Sequence, residues 1–260
     1  MKKQIHFMSG VPRSGSTVLA AILNQNKHTH VSTTSGVVFA LDALANVWHS
    51  QGLLGENDKE RTKLSQTMGA VIDTFYEDVE EPVIIDKGRG WPIPTILSAM
   101  TQVLGEKPKI VATVRSIPDC MASFVRVAKP DDLDEFIYSG ILSTHLKASY
   151  IAIQTGYEFA PECFCIVEYE DLVADPEAQL ARIHEFLDLP DFDYDFTAID
   201  GTSVQEDDEE IHGYEGMHDI QPVLAKQHNE DPKDVLKNHY TTFCQPEFWL
   251  DKPRTTPELH

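Results

Sequence analysis

The stretch "GVPRSGST", residues 10–17, follows the apolar run "QIHFMS" and leads into "VLAAILNQN". It has the outline of a phosphate-binding loop, G-x-x-x-x-G-K-[ST], set between a strand and a helix. Ser16 stands where that pattern has lysine, and Arg13 places a cation inside the loop instead. Gly10 and Gly15 permit tight backbone geometry, and a helix starting near Ser16 would present unpaired amides and the positive end of its dipole. An anion belongs at such a place. The lysine that would reach the β- and γ-phosphates is missing, which weakens the case for ATP.

Working outward, "QIHFM" reads as a short strand and "STVLAAILNQN" as a helix with Val18, Leu19, Ile22 and Leu23 on one stripe. Two helical patterns follow, "SGVVFALDALANVWHS" and "ERTKLSQTMGAVIDTFYED". Then "EPVIIDKG" and "KIVATV" are uninterrupted apolar runs, as strands covered on both faces would be, with a short helix at "TILSAMTQVL" between them. A helix at "PDCMASFVRVA", a long one within residues 133–156, the strand "CFCIVEY" and the helix "PEAQLARIHEFLDL" continue the alternation. This βαβ rhythm predicts an α/β fold, a three-layer sandwich with a central parallel sheet and ligands at the carboxyl ends of its strands. The pattern fades after Pro190, so residues 191–260 read as an acidic, irregular C-terminal wrap. No repeat or low-complexity linker marks a boundary, and one domain over residues 1–260 is expected.

The composition limits the partners. A formal charge of −21, from 21 Lys and Arg against 42 Asp and Glu, argues against a general nucleic-acid surface. Any anion site must be a local basic exception. No apolar run approaches the roughly 20 residues of a membrane span, and "MKKQIHFMSG" is too short and polar for a signal peptide. A soluble, cytoplasmic protein is therefore expected, with no membrane partner. Cys120, Cys163, Cys165 and Cys244 form no C-x-x-C pair and no disulfide framework. Cys163 and Cys165, two apart in a strand, would share one face as buried residues. No metal site is expected.

The loop and its helix, "GVPRSGSTVLAAILNQN", resemble the phosphosulfate-binding loop of sulfotransferases, P-[KR]-S-G-[ST]-[ST]. The resemblance implies a sulfotransferase fold related to P-loop nucleotidases and 3′-phosphoadenosine 5′-phosphosulfate as sulfuryl donor. Arg13 would be the cation on the 5′-phosphosulfate, with Ser14, Gly15, Ser16 and Thr17 supplying backbone and hydroxyl donors. In "VATVRSIPDCMASF", Arg115 ends a strand and Ser123 follows eight residues later on the next helix. That arrangement is similar to the family's 3′-phosphate motif, and a planar guanidinium suits a bidentate phosphate contact. A third segment, "VEYEDLVADPEAQLARIHEFLDLP", residues 167–190, resembles a downstream scaffold segment of the family, with Asp175 as a helix cap. The resemblance covers about residues 4–190.

"IIDKGRGWP" admits two readings. An apolar strand ending in Asp86 is similar to the magnesium-binding strand of nucleotide triphosphatases, which keeps an ATP-dependent kinase open. Tyrosylprotein-like and carbohydrate-directed sulfotransferases carry a lysine beside the transferred group, and Lys87 matches it. A "D-K-x-R-G-W" run also resembles the bacterial branch, so Arg89 and Trp91 would shape the same pocket. Arg13 and Lys87 are then the catalytic pair, offsetting charge as the bond to sulfur breaks.

Two features depart from the family pattern. No carboxylate stands where tyrosylprotein sulfotransferases have their glutamate base: Thr33, Thr34 and Ser35 occupy that stretch, with His28 and His30 nearby in what reads as a polar loop. The base is left unassigned. The Arg-Lys-Gly loop of cytosolic sulfotransferases is also absent, and the tail offers His212, Tyr214, His218 and Lys226 as a lid or acceptor border. Three classes remain open: a sulfotransferase, an ATP-dependent kinase, and a non-catalytic nucleotide-binding protein. The acceptor would be a small molecule, a carbohydrate or a peptide.

Overall fold

In a computed structural model, residues 3–49, 58–203, 218–225 and 230–250 are described. Five strands form one parallel sheet in the order β2-β3-β1-β4-β5, with β1 Gln4–Gly10, β2 Thr29–Thr34, β3 Val83–Lys87, β4 Ile110–Val114 and β5 Phe164–Glu168. The central strand β1 pairs with β3 through Phe7 and Asp86, and with β4 through Gly10 and Thr113. All three end at the same edge of the sheet.

The helices are α1 Ser16–Leu23, α2 Val37–His49, α3 Asp58–Phe75, α4 Pro94–Leu104, α5 Ile117–Ala128, α6 Leu133–Ser139 and α7 Ile141–Phe159. They continue with α8 Tyr169–Ala174, α9 Pro176–Leu187, α10 Pro232–Leu236 and α11 Tyr240–Phe243. Side chains alternate along each strand, so each face of the sheet meets its own layer. Phe7, Ile84, Ile110 and Ala112 pack in one cluster with Leu41 of α2, Met68 of α3, Ile96 of α4 and Met121 of α5. Met8, Ile85, Val111 and Val167 pack on the other face with Leu19 and Ile22 of α1 and Leu180 and Ile183 of α9. The architecture is the expected three-layer α/β sandwich.

Four local expectations need correction. First, "THVSTT" is not loop but the strand β2, so His30 lies on a strand. It is an edge strand paired only to β3, and its polar outer residues hide the period of a strand. Second, the long helix expected within residues 133–156 is two helices. Gly140 breaks them: it takes an extended conformation, and a Cβ there would stand 2.1 Å from the Phe136 carbonyl oxygen. Third, Cys163 precedes β5 in a 3₁₀ turn, Pro161–Cys163, and packs in the first cluster, while Cys165 packs in the second. They do not share a face. Fourth, the C-terminal segment is less irregular than expected: α10 and α11 send Leu236 and Phe243 into the first cluster.

Asp175 does cap α9, its carboxylate accepting from the Ala178 amide at 3.1 Å. Among the described residues no helix is long and apolar enough to cross a membrane. His212, Tyr214 and Lys226 lie outside the described residues.

Candidate anion-binding site

The ends of β1, β3 and β4 open into a cavity of about 600 Å³, the place where parallel sheets bind ligands. Arg13, Gly15, Ser16, Thr17, Lys87, Arg89, Arg115 and Ser123 lie on its wall, whereas Ser14 and Trp91, also predicted for the site, do not: Trp91 is buried behind it, its Nε1 on Asp86. The loop from Gly10 to Thr17 is held by Ser14, which is fully buried. Its hydroxyl donates to the carbonyls of Val11 at 2.6 Å and Thr113 at 3.0 Å, and it lies 2.6 Å from Thr113 Oγ1. That hydroxyl is engaged inward, so only the backbone of Ser14 is left to serve an anion. Gly15, with φ 86°, turns the chain into α1, and a Cβ there would come 2.7 Å from the Tyr169 ring. The first bond of α1 runs from Leu19 N to Gly15 O at 2.9 Å, which leaves the amides of Ser16, Thr17 and Val18 ahead of it. Arg13 also has a left-handed backbone, φ 69°.

Adjacent residues of β3 point to opposite faces, and this separates Asp86 from Lys87. Asp86 is buried and accepts from Ser35 Oγ at 2.7 Å, Trp91 Nε1 at 2.8 Å and the Tyr76 hydroxyl. Burial raises its pKa, and its three donors act in the opposite sense. Asp86 is therefore an internal anchor beneath the cavity rather than a wall residue. Lys87 turns toward α1, where Nζ donates to Thr17 Oγ1 at 3.2 Å, while its amide donates to Ser32 Oγ at 2.9 Å. Burial, helped by the charge of Arg89, lowers the Lys87 pKa to about 8.

Across the cavity, Arg13 Nε donates to Ser123 Oγ at 3.1 Å, so the first loop and α5 meet although 110 residues separate them. Arg115 donates to Glu170 Oε1 at 3.0 Å and lies 3.9 Å from Asp119. Its guanidinium stacks on the Tyr169 ring, 4.4 Å from the centroid. Thus Tyr169 supports both the Gly15 turn and Arg115. Burial is the main cause that lowers the Arg13 pKa, and the charges of Arg115 and Arg126 push it the same way.

The cavity is a basic exception in an acidic chain: among the described residues Arg13, Lys87, Arg89, Arg115 and Arg126 line it, against the single carboxylate of Asp219. Among the wall residues that sequence reasoning missed are Arg126, Tyr169 and His145. Arg126 could have been found from its position one helical turn beyond Ser123 on α5. Tyr169 lay within a segment read as scaffold. His145, on α7, carries no local signal; burial and the charge of Arg89 lower its pKa. Of the other residues singled out, Thr34, Ser35 and His218 line the cavity. Thr33 and His28 are exposed and absent from its wall. Among the described residues no cluster of three or more His, Cys, Asp or Glu is placed to hold a metal ion.

Comparison with known proteins finds similarity to sulfotransferases. The sulfotransferase family model matches residues 97–194, which include Arg115 and Ser123. Protein-tyrosine sulfotransferase A of Caenorhabditis elegans is 27% identical over 197 residues, covering 71% of this chain. The chain spans about half the length of that relative, with 50% of it covered. The sulfotransferase domain of the Synechococcus PCC 7002 olefin synthase is similar in fold, with a TM-score of 0.52, 19% identity and coverage of 97% of this chain and 98% of that domain.

Proposed function

We propose that this chain, a member of the sulfotransferase family, transfers a sulfuryl group from 3′-phosphoadenosine 5′-phosphosulfate to a hydroxyl or amine of an acceptor. The observation that carries the reading is the convergence of five cations on one cavity in a chain of net charge −21. Three of them, Arg13, Lys87 and Arg115, together with Ser123 and the amides at the start of α1, offer donors to a nucleotide with more than one anionic group. The turn at Gly15 is tight enough to aim those amides, and its αL backbone is one that only glycine adopts without strain.

In such a transfer the bond from sulfur to the bridging phosphate oxygen breaks, that oxygen keeps the electron pair, and sulfur bonds to the acceptor atom. The chain's own residues hold and neutralise. In this reading Arg13 would hold the 5′ end, and Lys87, whose Nζ donates to Thr17 Oγ1, would offset the negative charge that grows on the leaving oxygen. A pKa near 8 leaves Lys87 mostly protonated at neutral pH. The acceptor's proton needs a base, and His145 is a wall imidazole whose lowered pKa keeps it neutral and able to accept. The kinase reading is disfavoured, because Ser16 replaces the loop lysine and Asp86 is engaged by three internal donors.

Incubation with radiolabelled donor and a panel of phenols, sugars, lipids and peptides tests the proposal. The expected result is labelled product with at least one acceptor, formed about 10²-fold more slowly in Lys87→Met. Transfer from γ-labelled ATP would favour a kinase, and nucleotide binding without any transfer would favour a non-catalytic protein.

A further inference from the structure

Among the cations of the cavity, Arg89 has no part in holding the donor. It lies two residues beyond the end of β3, on a concave wall where solvent reaches it. Protein nonetheless crowds its guanidinium, and burial lowers its pKa with no opposing charge to raise it. No hydrogen bond or ion pair joins it to another of the described residues. Arg115, which follows the end of β4, instead has Glu170 and Asp119 beside it. A partly desolvated guanidinium without an acceptor is unfavourable, and an anion carried in by a ligand would offset that cost.

The neighbours of Arg89 indicate which ligand that is. Its charge lowers the pKa of both Lys87 and His145, so it stands near the groups assigned to the leaving oxygen and to the acceptor's proton. Glycines flank it, and Val38 of α2 packs against both: an added Cβ would lie 3.2 Å from Val38 at Gly88 and 2.8 Å at Gly90. Phe39, next along α2, is on the cavity wall and 73% exposed. Leu142 is also on the wall, one helical turn before His145 on α7. This part of the cavity therefore combines open apolar surface with one cation and an imidazole, a wall that suits an amphipathic ligand.

We propose that Arg89 binds a carboxylate of the acceptor, with the acceptor's apolar body against Phe39 and Leu142, so that this chain sulfates small amphipathic hydroxy acids in preference to neutral alcohols. A guanidinium offers two parallel N–H groups to the two oxygens of a carboxylate, and one such cation balances one negative charge. The preference arises because a neutral acceptor would cover Arg89 and leave it without an acceptor atom. The inference rests on the transfer assigned under Proposed function and deepens it by naming the acceptor class; the bonds made and broken are the same.

Calorimetric titration with para-hydroxyphenylacetate, with ω-hydroxydodecanoate and with the primary amide of each, in the presence and absence of adenosine 3′,5′-bisphosphate, tests it. At least one acid should bind about 10-fold or more tightly than its amide, the usual range for a charged hydrogen bond. Arg89→Gln should remove that preference, and Arg89→Lys, which keeps the charge but not the fork, should retain part of it. Neither variant should change bisphosphate affinity by more than about 2-fold, as for a residue outside the donor contacts. Having lost no partner, Arg89→Gln should melt no lower than the wild type. With bisphosphate binding intact, acids that bind no better than their amides overturn the inference alone, as does a preference that survives in Arg89→Gln. Lost bisphosphate affinity in Arg89→Gln also overturns it, by moving Arg89 to the donor. A wild type that binds the acids through Arg89 but not the bisphosphate overturns the donor assignment, and the acceptor role with it.

Discussion

Lys87 Nζ donates to Thr17 Oγ1 at 3.2 Å, tying the end of β3 to the first turn of α1. The bond puts the one lysine on the cavity wall among the described residues beside a loop that has none. A phosphate-binding loop of the usual pattern carries its cation in sequence, at the start of the helix; here the neighbouring strand supplies it.

From this placement, Lys87→Met should lower turnover by about 10²-fold or more, the usual loss for one electrostatic donor. Nucleotide affinity should stay nearly intact, because the charge matters most when the bond to sulfur is breaking. Single-turnover transfer and nucleotide titration on the same variant check both halves. Near-normal transfer would remove Lys87 from the chemistry, and lost binding with unchanged chemistry would move it into the donor clamp.

The same lysine sets a pH dependence. With its pKa lowered to about 8 by burial and then by Arg89, kcat/KM should fall as pH rises through about 8, as the ammonium loses its proton. For stability the sign is opposite. The unfolded chain holds this proton up to its ordinary value of 10.5 and the folded chain releases it near 8, so stability gains from this group as pH rises between the two. Lys87→Arg should erase both effects, since an arginine stays charged throughout.

Gly15→Ala should cost about 1–3 kcal/mol, the range for a non-glycine residue in a left-handed conformation. The added Cβ would also meet the Tyr169 ring at 2.7 Å. Because Tyr169 stacks on Arg115 as well, nucleotide affinity should drop along with the melting temperature. A variant as stable and as tightly binding as the wild type would show that the turn does not set the site.

Asp86→Asn should destabilise the fold by about 1–3 kcal/mol, the cost of a buried unsatisfied donor. The amide group can replace only one of the two oxygens that Ser35, Tyr76 and Trp91 approach, and it turns a donor toward another donor. Denaturant melts measure this. Nucleotide affinity with and without magnesium should be the same in wild type and variant; a magnesium-dependent affinity that vanishes in Asp86→Asn would restore the kinase reading.

Much of this arrangement is legible in the sequence because the informative segments are local. The loop at residues 10–17, the apolar strands ending at Lys87 and Arg115, and the Asp175 cap of α9 each announce themselves by composition. β2 does not: "THVSTT" sits at the sheet edge, with Thr33 and Thr34 exposed, and polar residues there obscure the alternation of a strand. The break at Gly140 rests on a local contact, the close approach of Gly140 to the Phe136 carbonyl of α6, which no periodicity reveals. At the site, the sequence indicates the type of each residue but not its partner. The bond from Arg13 to Ser123 and the stack of Arg115 on Tyr169 arise from the order of the strands, which brings β1, β4 and β5 side by side. For the same reason His145, on a helix far along the chain, becomes visible only in the cavity wall.

The most direct test of the account is calorimetric titration of the wild-type protein with adenosine 3′,5′-bisphosphate and with ADP, each with and without magnesium. The account predicts that the bisphosphate binds at least about 10²-fold more tightly, as two or more charge-assisted hydrogen bonds to the 3′-phosphate would give, and that magnesium makes no difference. Equal affinities, or tighter binding of ADP in the presence of magnesium, would contradict it.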